Sequence, residues 1–455
     1  MESSLSEKDL RSNIIKLAGP VFVELFLGTL FGMVDMIMLG RYGDVDISTA
    51  SIAAVGITNQ LMFIGLSLVQ ALNAGATAMV ARYIGAKKED KIESVVKHIM
   101  ILTQFFLVVP ILIIGLGFTE NVMTFLGAHQ DTLAVGTGYF RVVVLGFIFQ
   151  AFNFSIVASL RGVGDTKTPM RINLTANLAN VFGNAILIYG LLGFPALGAT
   201  GAGISTTLSQ VVATVLLIRY IRRPESTIHI NLKHEFKLDK DIIYNLTKIG
   251  APAAMEQVAF RVGILIFTKL IATLGTVAYA THQICINILN LSFTPGQAFG
   301  IAASTLTGRS IGAKEPDLAN HYIEDCNKIG IVISIVIGVS LYLFGPFVAG
   351  LYSNNPEVVT EAASILKLIA IIQPFQTVQL IISGGLRGAG DTIWTLVITF
   401  IGIIGIRVVL AYYFVKVLEM ALFGAWLALL IDQLVRWALI RMRFKTDKWK
   451  YITLR

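Results

Sequence analysis

The apolar residues of this chain come in runs of about 20, each long enough for a helix to cross a hydrocarbon core of about 30 Å. Twelve runs follow one another, at roughly 14–39, 52–79, 98–118, 134–158, 170–192, 200–221, 241–271, 277–305, 321–346, 358–382, 393–415 and 421–441. Spanning strands would be about half that length and would alternate polar with apolar residues. Of 455 residues, 55% are hydrophobic and 14% charged, where a soluble domain carries about 25% charge. The expected fold class is an all-α polytopic membrane protein.

The net charge of +8 is not a nucleic-acid signature, because of where the cations sit. Lys and Arg crowd the two termini and every second loop, at 81–97, 159–171, 219–248, 307–328 and 383–392. The opposite loops hold Arg41 and Lys416. This is the positive-inside pattern of a multi-pass protein of the cell (inner or plasma) membrane with both termini cytoplasmic. Met1–Lys8 is polar and the first apolar run is too long for a cleavable signal. Cys285 and Cys326 give neither a disulfide framework nor a metal cluster. The cytoplasmic segments contain no phosphate-binding loop, so neither an ATP-driven pump nor an enzyme is expected, and no cofactor.

The chain is duplicated. RGVGDT at 161–166 returns as RGAGDT at 387–392, a shift of 226 residues. Lys16–Glu24 matches Lys248–Glu256 at a shift of 232, and Ile84–Lys87 matches Ile311–Lys314 at 227. Each half therefore carries six spans, and an even number sends both halves into the membrane in the same direction. The expected organisation is a bundle at 1–221, a cytoplasmic connector at 222–240, a second bundle at 241–445 and a cytoplasmic tail at 446–455. The repeated phrase falls in cytoplasmic loops. Its glycines permit a tight turn, and Asp165 and Asp391 can cap the next helix. Arg161 and Arg387 can bond backbone carbonyls or a carboxylate. A structural role is expected for all four, with a gating contact as the alternative.

Uncharged polar residues recur at helical spacing inside the spans, where they are costly unless they face protein or water. Gln60 and Gln70 fall on Asn287 and Gln297 at the 227 shift, and Gln150 and Asn153 fall on Gln376 and Gln379 at 226. Gln60, Gln70, Gln150, Asn153 and Met33 are candidate cavity-lining residues; interhelical hydrogen bonding is the alternative for any one of them. Met36, Met38 and Met62 can add adaptable apolar surface. Asn173, Asn177, Asn180 and Asn184 share one face of span five. Their counterparts are Thr399, Ile403, Ile406 and Leu410, so this stripe belongs to the first half alone.

The acids inside spans are Glu24, Asp35, Glu256 and Asp432. Arg436, one turn from Asp432, makes a structural ion pair the expected reading there. Glu24 and Asp35 lie on one face of span one, separated along the axis by about 16 Å. Asp35 has Phe267 as its counterpart and no nearby cation in sequence. Charging such a carboxylate in the membrane is costly, so it can take up and release a proton, or accept Na⁺. The alternative is a structural acid bonded to the span-five asparagines. Glu24, Asn177, Asn180 and Asn184 are candidate members of the same coupling site. Glu256, with Gln283, Asn287 and Gln376, is a candidate cation or substrate site in the second half, and Arg261 and Lys269 can neutralise it.

VDMIMLG at 34–40, LRGVGDTKTP at 160–169, NAILIYGLLGFPALGATGAG at 184–203, ATHQI at 280–284 and LRGAGDT at 386–392 resemble, in order, the multidrug and toxic compound extrusion (MATE) family of cation-coupled antiporters. The resemblance implies twelve helices in two pseudo-symmetric six-helix bundles around a central V-shaped cleft. It implies export of amphipathic, often cationic organic compounds in exchange for H⁺ or Na⁺ by alternating access. Asp35 matches the family's span-one coupling aspartate, and Glu256 the span-seven glutamate of NorM-like and eukaryotic members. Two positions depart: the span-ten aspartate of NorM-like members is Gln376 here, and the span-five aspartate of DinF-like members is Asn184. A flippase for lipid-linked saccharides is the alternative of similar layout. Such proteins typically add two spans and a cationic cleft, whereas the embedded acids here favour cationic cargo. The expected partners are small organic molecules and membrane lipid, with no nucleic acid and a monomeric chain.

Overall fold

The computed structural model describes residues 6–224, 226–228, 237–353 and 355–453, and every regular element among them is helical. The expected connector and tail lie partly outside the described residues. Each apolar run of the sequence becomes a helix. They are α1 Glu7–Gly40, α2 Val45–Gly85, α3 Asp90–Gly117, α4 Gln130–Val163, α5 Lys167–Tyr189 and α6 Gly198–Ile221. They continue as α7 Lys240–Ala272, α8 (Thr276–Ser292 and Thr294–Gly312), α9 Pro316–Gly350, α10 Pro356–Ala389, α11 Thr392–Val417 and α12 Ala421–Lys445. Nine of the described helices are long and apolar enough to cross a membrane, by length and composition. The other three are the polar ones: α5 carries the asparagine stripe, α7 carries Glu256, Arg261 and Lys269, and α8 is interrupted at Phe293. Pro295 follows that interruption, since its ring crowds the preceding turn and it has no N–H to donate.

Two compact units emerge. The N-terminal unit is Val23–Val80 with Lys88–Thr247; the C-terminal unit is Lys248–Arg455 with Met1–Phe22 and Ala81–Lys87. These bounds differ from a first bundle running over 1–221. Packing explains the difference: Leu10, Ile14 and Ala18 of α1 are buried against Phe299, Ala302 and Leu306 of α8. The ends of α2 and α8 also cross closely. A Cβ on Gly85 would meet the Arg309 carbonyl oxygen at 1.9 Å, and one on Gly312 the Arg82 oxygen at 2.0 Å. The N-terminal unit has its own core around Val69, Phe140, Val144 and Phe147. In the C-terminal unit the largest core surrounds Phe267, Ile365, Ile369 and Trp426.

The repeated phrase ends α4 and α10 in the same way. Gly164 (φ 90°) and Gly390 (φ 88°) are left-handed caps. The Gly164 and Gly390 amides donate to the carbonyls of Arg161 and Arg387, and the next amides, Asp165 and Asp391, donate to those of Leu160 and Leu386. This pairing satisfies the last carbonyls of each helix. The first glycine allows close packing: a Cβ on Gly162 would lie 2.9 Å from the Thr77 carbonyl oxygen, and one on Gly388 would lie 2.1 Å from that of Ser304. The aspartates tie in later elements. Asp165 accepts from Thr168 N at 3.0 Å and from the Tyr220 hydroxyl at 2.6 Å, and Asp391 accepts from Arg443 Nε at 2.8 Å.

Candidate functional site

Asp35 lies half-buried on α1 within the N-terminal unit. The buried Asn184 amide of α5 donates to its Oδ1 at 2.7 Å. Asn180, one turn earlier on the same face, presents its amide to the same carboxylate. With its nitrogen toward Asp35 it donates to both oxygens at 3.0 Å, and its carbonyl oxygen accepts from Thr206. Buried Tyr139 of α4 lies within the field of the carboxylate. Among the described residues, no Lys or Arg is ion-paired with Asp35. The spacing of the stripe had joined Asn180 and Asn184 to one face; the fold aims that face at Asp35. Asn177, half-buried on α5, takes no described bond to it. Tyr139 was missed, because nothing in the sequence links a tyrosine of α4 to an aspartate of α1.

The copied glutamates are built differently. Glu24 Oε1 accepts from Arg161 Nη2 at 2.8 Å and from Asn173 Nδ2 at 2.6 Å. Glu256 Oε1 accepts from Arg387 Nη2 at 2.7 Å and from Thr399 Oγ1 at 3.0 Å. The arginines of the repeated phrase therefore sit in the last turns of α4 and α10, not in loops, and each reaches the copied acid of its own half. Thr399 is the counterpart of Asn173, so the first position of the stripe was copied in role if not in residue type. One difference remains. Glu256 Oε2 accepts from Thr395 Oγ1 at 3.0 Å. Pro169 stands at the matching place, and Glu24 Oε2 is buried without a hydrogen-bond partner. Arg387, Thr395 and Thr399 were not foreseen as partners of Glu256. The matching of Thr399 with Asn173 was visible in the register, but its meaning needed the fold.

Asp432 is fully buried and is held by two arginines rather than the single expected one. Arg436 Nε donates to Oδ1 at 2.8 Å and Arg407 Nε to Oδ2 at 2.9 Å. The remaining candidates scatter. Gln60, Gln70, Met33 and Asn287 are exposed on their helices, and Gln150 and Gln283 are half-buried. Asn153 is buried and bonded across helices. It donates to the Gln210 carbonyl at 3.0 Å and accepts from Thr214 at 2.8 Å, so it ties helices together instead of lining a space. Gln376 is buried, with its Oε1 unpartnered.

The MatE family model matches residues 20–186 and again 252–413, one match in each half. The chain belongs to the MATE family. The probable multidrug resistance protein NorM of Thermotoga maritima is 30% identical over 97% of this chain and 94% of its own length. The multidrug resistance protein NorM of Vibrio cholerae is 30% identical over 84% of this chain and 82% of its own. A MATE transporter crystallised in a bent conformation superposes with a TM-score of 0.88 at 24% identity, covering 97% of this chain and 96% of that one. The fold is thus that of MATE transporters, a helical, multi-pass membrane architecture. In this chain the aspartate at position 35 is met by the asparagine amides of α5.

Proposed function

We propose that this MATE protein is a secondary active exporter of amphipathic, often cationic organic compounds, and that Asp35 takes the coupling ion. One observation carries the assignment. Asp35 is held by neutral amides alone, whereas Glu24, Glu256 and Asp432 are each bonded to arginine. A carboxylate paired with a guanidinium cannot accept a cation without leaving that guanidinium uncompensated, which costs about 3–5 kcal/mol where the pair is fully buried, as at Asp432, and less where the arginine is partly exposed. Amides impose no such cost. They satisfy the hydrogen bonds of Asp35 without neutralising its charge.

The same amides favour H⁺ over Na⁺. An amide group is both donor and acceptor. Asn180 can offer its N–H to ionised Asp35 and, turned over, its carbonyl oxygen to the protonated acid. Na⁺ instead needs several oxygens, while the Asn184 contact places an N–H against the carboxylate. The NorM relatives are named multidrug resistance proteins, which supports drug export as the function. The bias of Lys and Arg toward one set of loops supports a plasma-membrane protein with cytoplasmic termini. The embedded acids weigh against a saccharide-lipid flippase.

Proteoliposomes with imposed pH or Na⁺ gradients test this. Wild type should export a lipophilic cation when driven by a pH gradient, and Asp35→Asn should insert normally but lose driven export. Normal driven export by Asp35→Asn would sink the assignment. Transport driven by Na⁺ alone would replace the proton by sodium at the same residue.

A further inference from the structure

The position in the C-terminal unit that matches Asp35 is Phe267, and its surroundings carry the opposite charge. Phe267 is 2% exposed, and the Arg407 guanidinium carbon lies 5.9 Å from its ring centre. Arg407 belongs to a triad with Asp432 and Arg436, whose exposures are 4%, 0% and 3%. Both arginines spend Nε and Nη2 on the single carboxylate. Two positive charges thus face one negative charge, leaving one positive charge in excess. Among the described residues no second carboxylate is bonded to either guanidinium.

The triad is built into the helices. Arg407 lies in the π-helical stretch Ile401–Val408 of α11, a widened turn of the kind that often marks functional positions. Gly402, in the same stretch, lets α12 approach: a Cβ there would lie 2.4 Å from both Arg436 Cγ and Asp432 Oδ1. Phe267 also meets His282, ring centres 5.7 Å apart, and His282 in turn meets Trp426 at 5.6 Å. The Trp426 indole nitrogen and His282 Nδ1 are both buried without a hydrogen-bond partner. An indole N–H can only donate. The unmatched positive charge faces the Phe267 ring, and the unmatched indole donor lies one ring further on, against His282.

An uncompensated charge in a membrane-embedded core is costly unless something neutralises it. We propose that the C-terminal unit binds a small monovalent anion beside Arg407, at the counterpart of the Asp35 site. The excess charge attracts the anion, and the guanidinium Nη1, which is not spent on Asp432, donates to it. The duplication has then produced two sites of opposite polarity: one copy takes a cation on Asp35, and the other holds an anion next to Phe267. The anion is a resident of the C-terminal unit and does not depend on the ion that drives export.

Halide titration of the purified protein tests this without a transport assay. Sodium gluconate is replaced by sodium chloride, or by bromide, at constant ionic strength, and thermal unfolding is followed. Wild type should show a saturable upward shift of its unfolding temperature with either halide. Arg436→Gln leaves a neutral Arg407–Asp432 pair and should lose the shift. Asp35→Asn should keep it, which separates this site from the coupling site. Equal unfolding temperatures of wild type in gluconate and halide would overturn the proposal, whether or not the variant folds. A full halide shift in Arg436→Gln would overturn it as well.

Discussion

Glu256 and Asp432 of the C-terminal unit are each bonded to arginine, while Asp35 of the N-terminal unit is bonded to asparagine. The difference separates acids whose charge is matched by arginine from one whose hydrogen bonds come from neutral groups. A guanidinium fixes the charge of its carboxylate, because separating the two leaves an ion buried alone. An amide supplies hydrogen bonds to either protonation state. The C-terminal copy bonds its embedded acids to arginine, and the N-terminal copy has one embedded acid bonded to amides, which on the proposed reading is the acid that changes charge. Moving an arginine into the first site should erase the contrast. Asn184→Arg would place a guanidinium where the 2.7 Å amide contact now stands. Gradient-driven export should fall to the level of Asp35→Asn while the protein still reaches the membrane. Export at the wild-type rate would mean that Asp35 does not need to change charge.

The copied pairs invite the next comparison. Removing one partner of a fully buried ion pair costs about 3–5 kcal/mol, and these pairs, with partly exposed arginines, should lose less. Arg387→Gln leaves Glu256 with two threonine donors, whereas Arg161→Gln leaves Glu24 with Asn173 alone. Both variants should unfold at lower temperature in detergent, and Arg161→Gln should be the less stable of the two. The opposite order would show that the threonines contribute little.

How much of this was legible beforehand depends on the distance over which each residue acts. A helix announces itself through its own neighbours, so every span was readable from its apolar run. The 232 and 226 shifts paired Glu24 with Glu256 and Asn173 with Thr399, because a duplication is written in the chain. Asn180 and Asn184 were grouped correctly, since positions four apart share a face whatever that face meets. What the face meets was not written. Arg161 reaches Glu24 across 137 residues, and Arg407 reaches Asp432 from the neighbouring helix. Hydrophobic periodicity gives the orientation of a helix but not the identity of its neighbour. Asn153 illustrates the limit. Its place in a polar stripe fitted cavity lining, and only the fold shows it bonded to Gln210 and Thr214.

The repeated phrase offers a smaller effect. Alanine at Gly388 would bring Cβ to 2.1 Å from a backbone oxygen of α8, and alanine at Gly162 would bring it to 2.9 Å from one of α2. Overpacking a tight contact costs about 1–3 kcal/mol. Gly388→Ala should sit at the upper end or beyond, because a backbone oxygen at that distance forces α8 and α10 apart. Gly162→Ala should cost less. Thermal unfolding of the two variants side by side checks the order, and equal losses would mean that α8 and α10 yield as readily as α2 and α4.

The finest difference between the copies is one hydroxyl. Glu256 Oε2 has Thr395, whereas the matching oxygen of Glu24 has no donor and the position that corresponds to Thr395 is Pro169. Pro169 is in the first turn of α5, where backbone N–H groups lack intrahelical partners in any case. Pro169→Thr therefore loses no helical hydrogen bond and places a hydroxyl where its counterpart donates. The gain should be about 1 kcal/mol, the usual net contribution of one hydrogen bond. Thr395→Val makes the reverse change in the other copy and should cost about 1–3 kcal/mol by stranding Glu256 Oε2. If Pro169→Thr raises the unfolding temperature and Thr395→Val lowers it, the two glutamate sites are one design with one donor missing. If Pro169→Thr is neutral while Thr395→Val is costly, another group already meets Glu24 Oε2, and the copies differ in how the third bond is made.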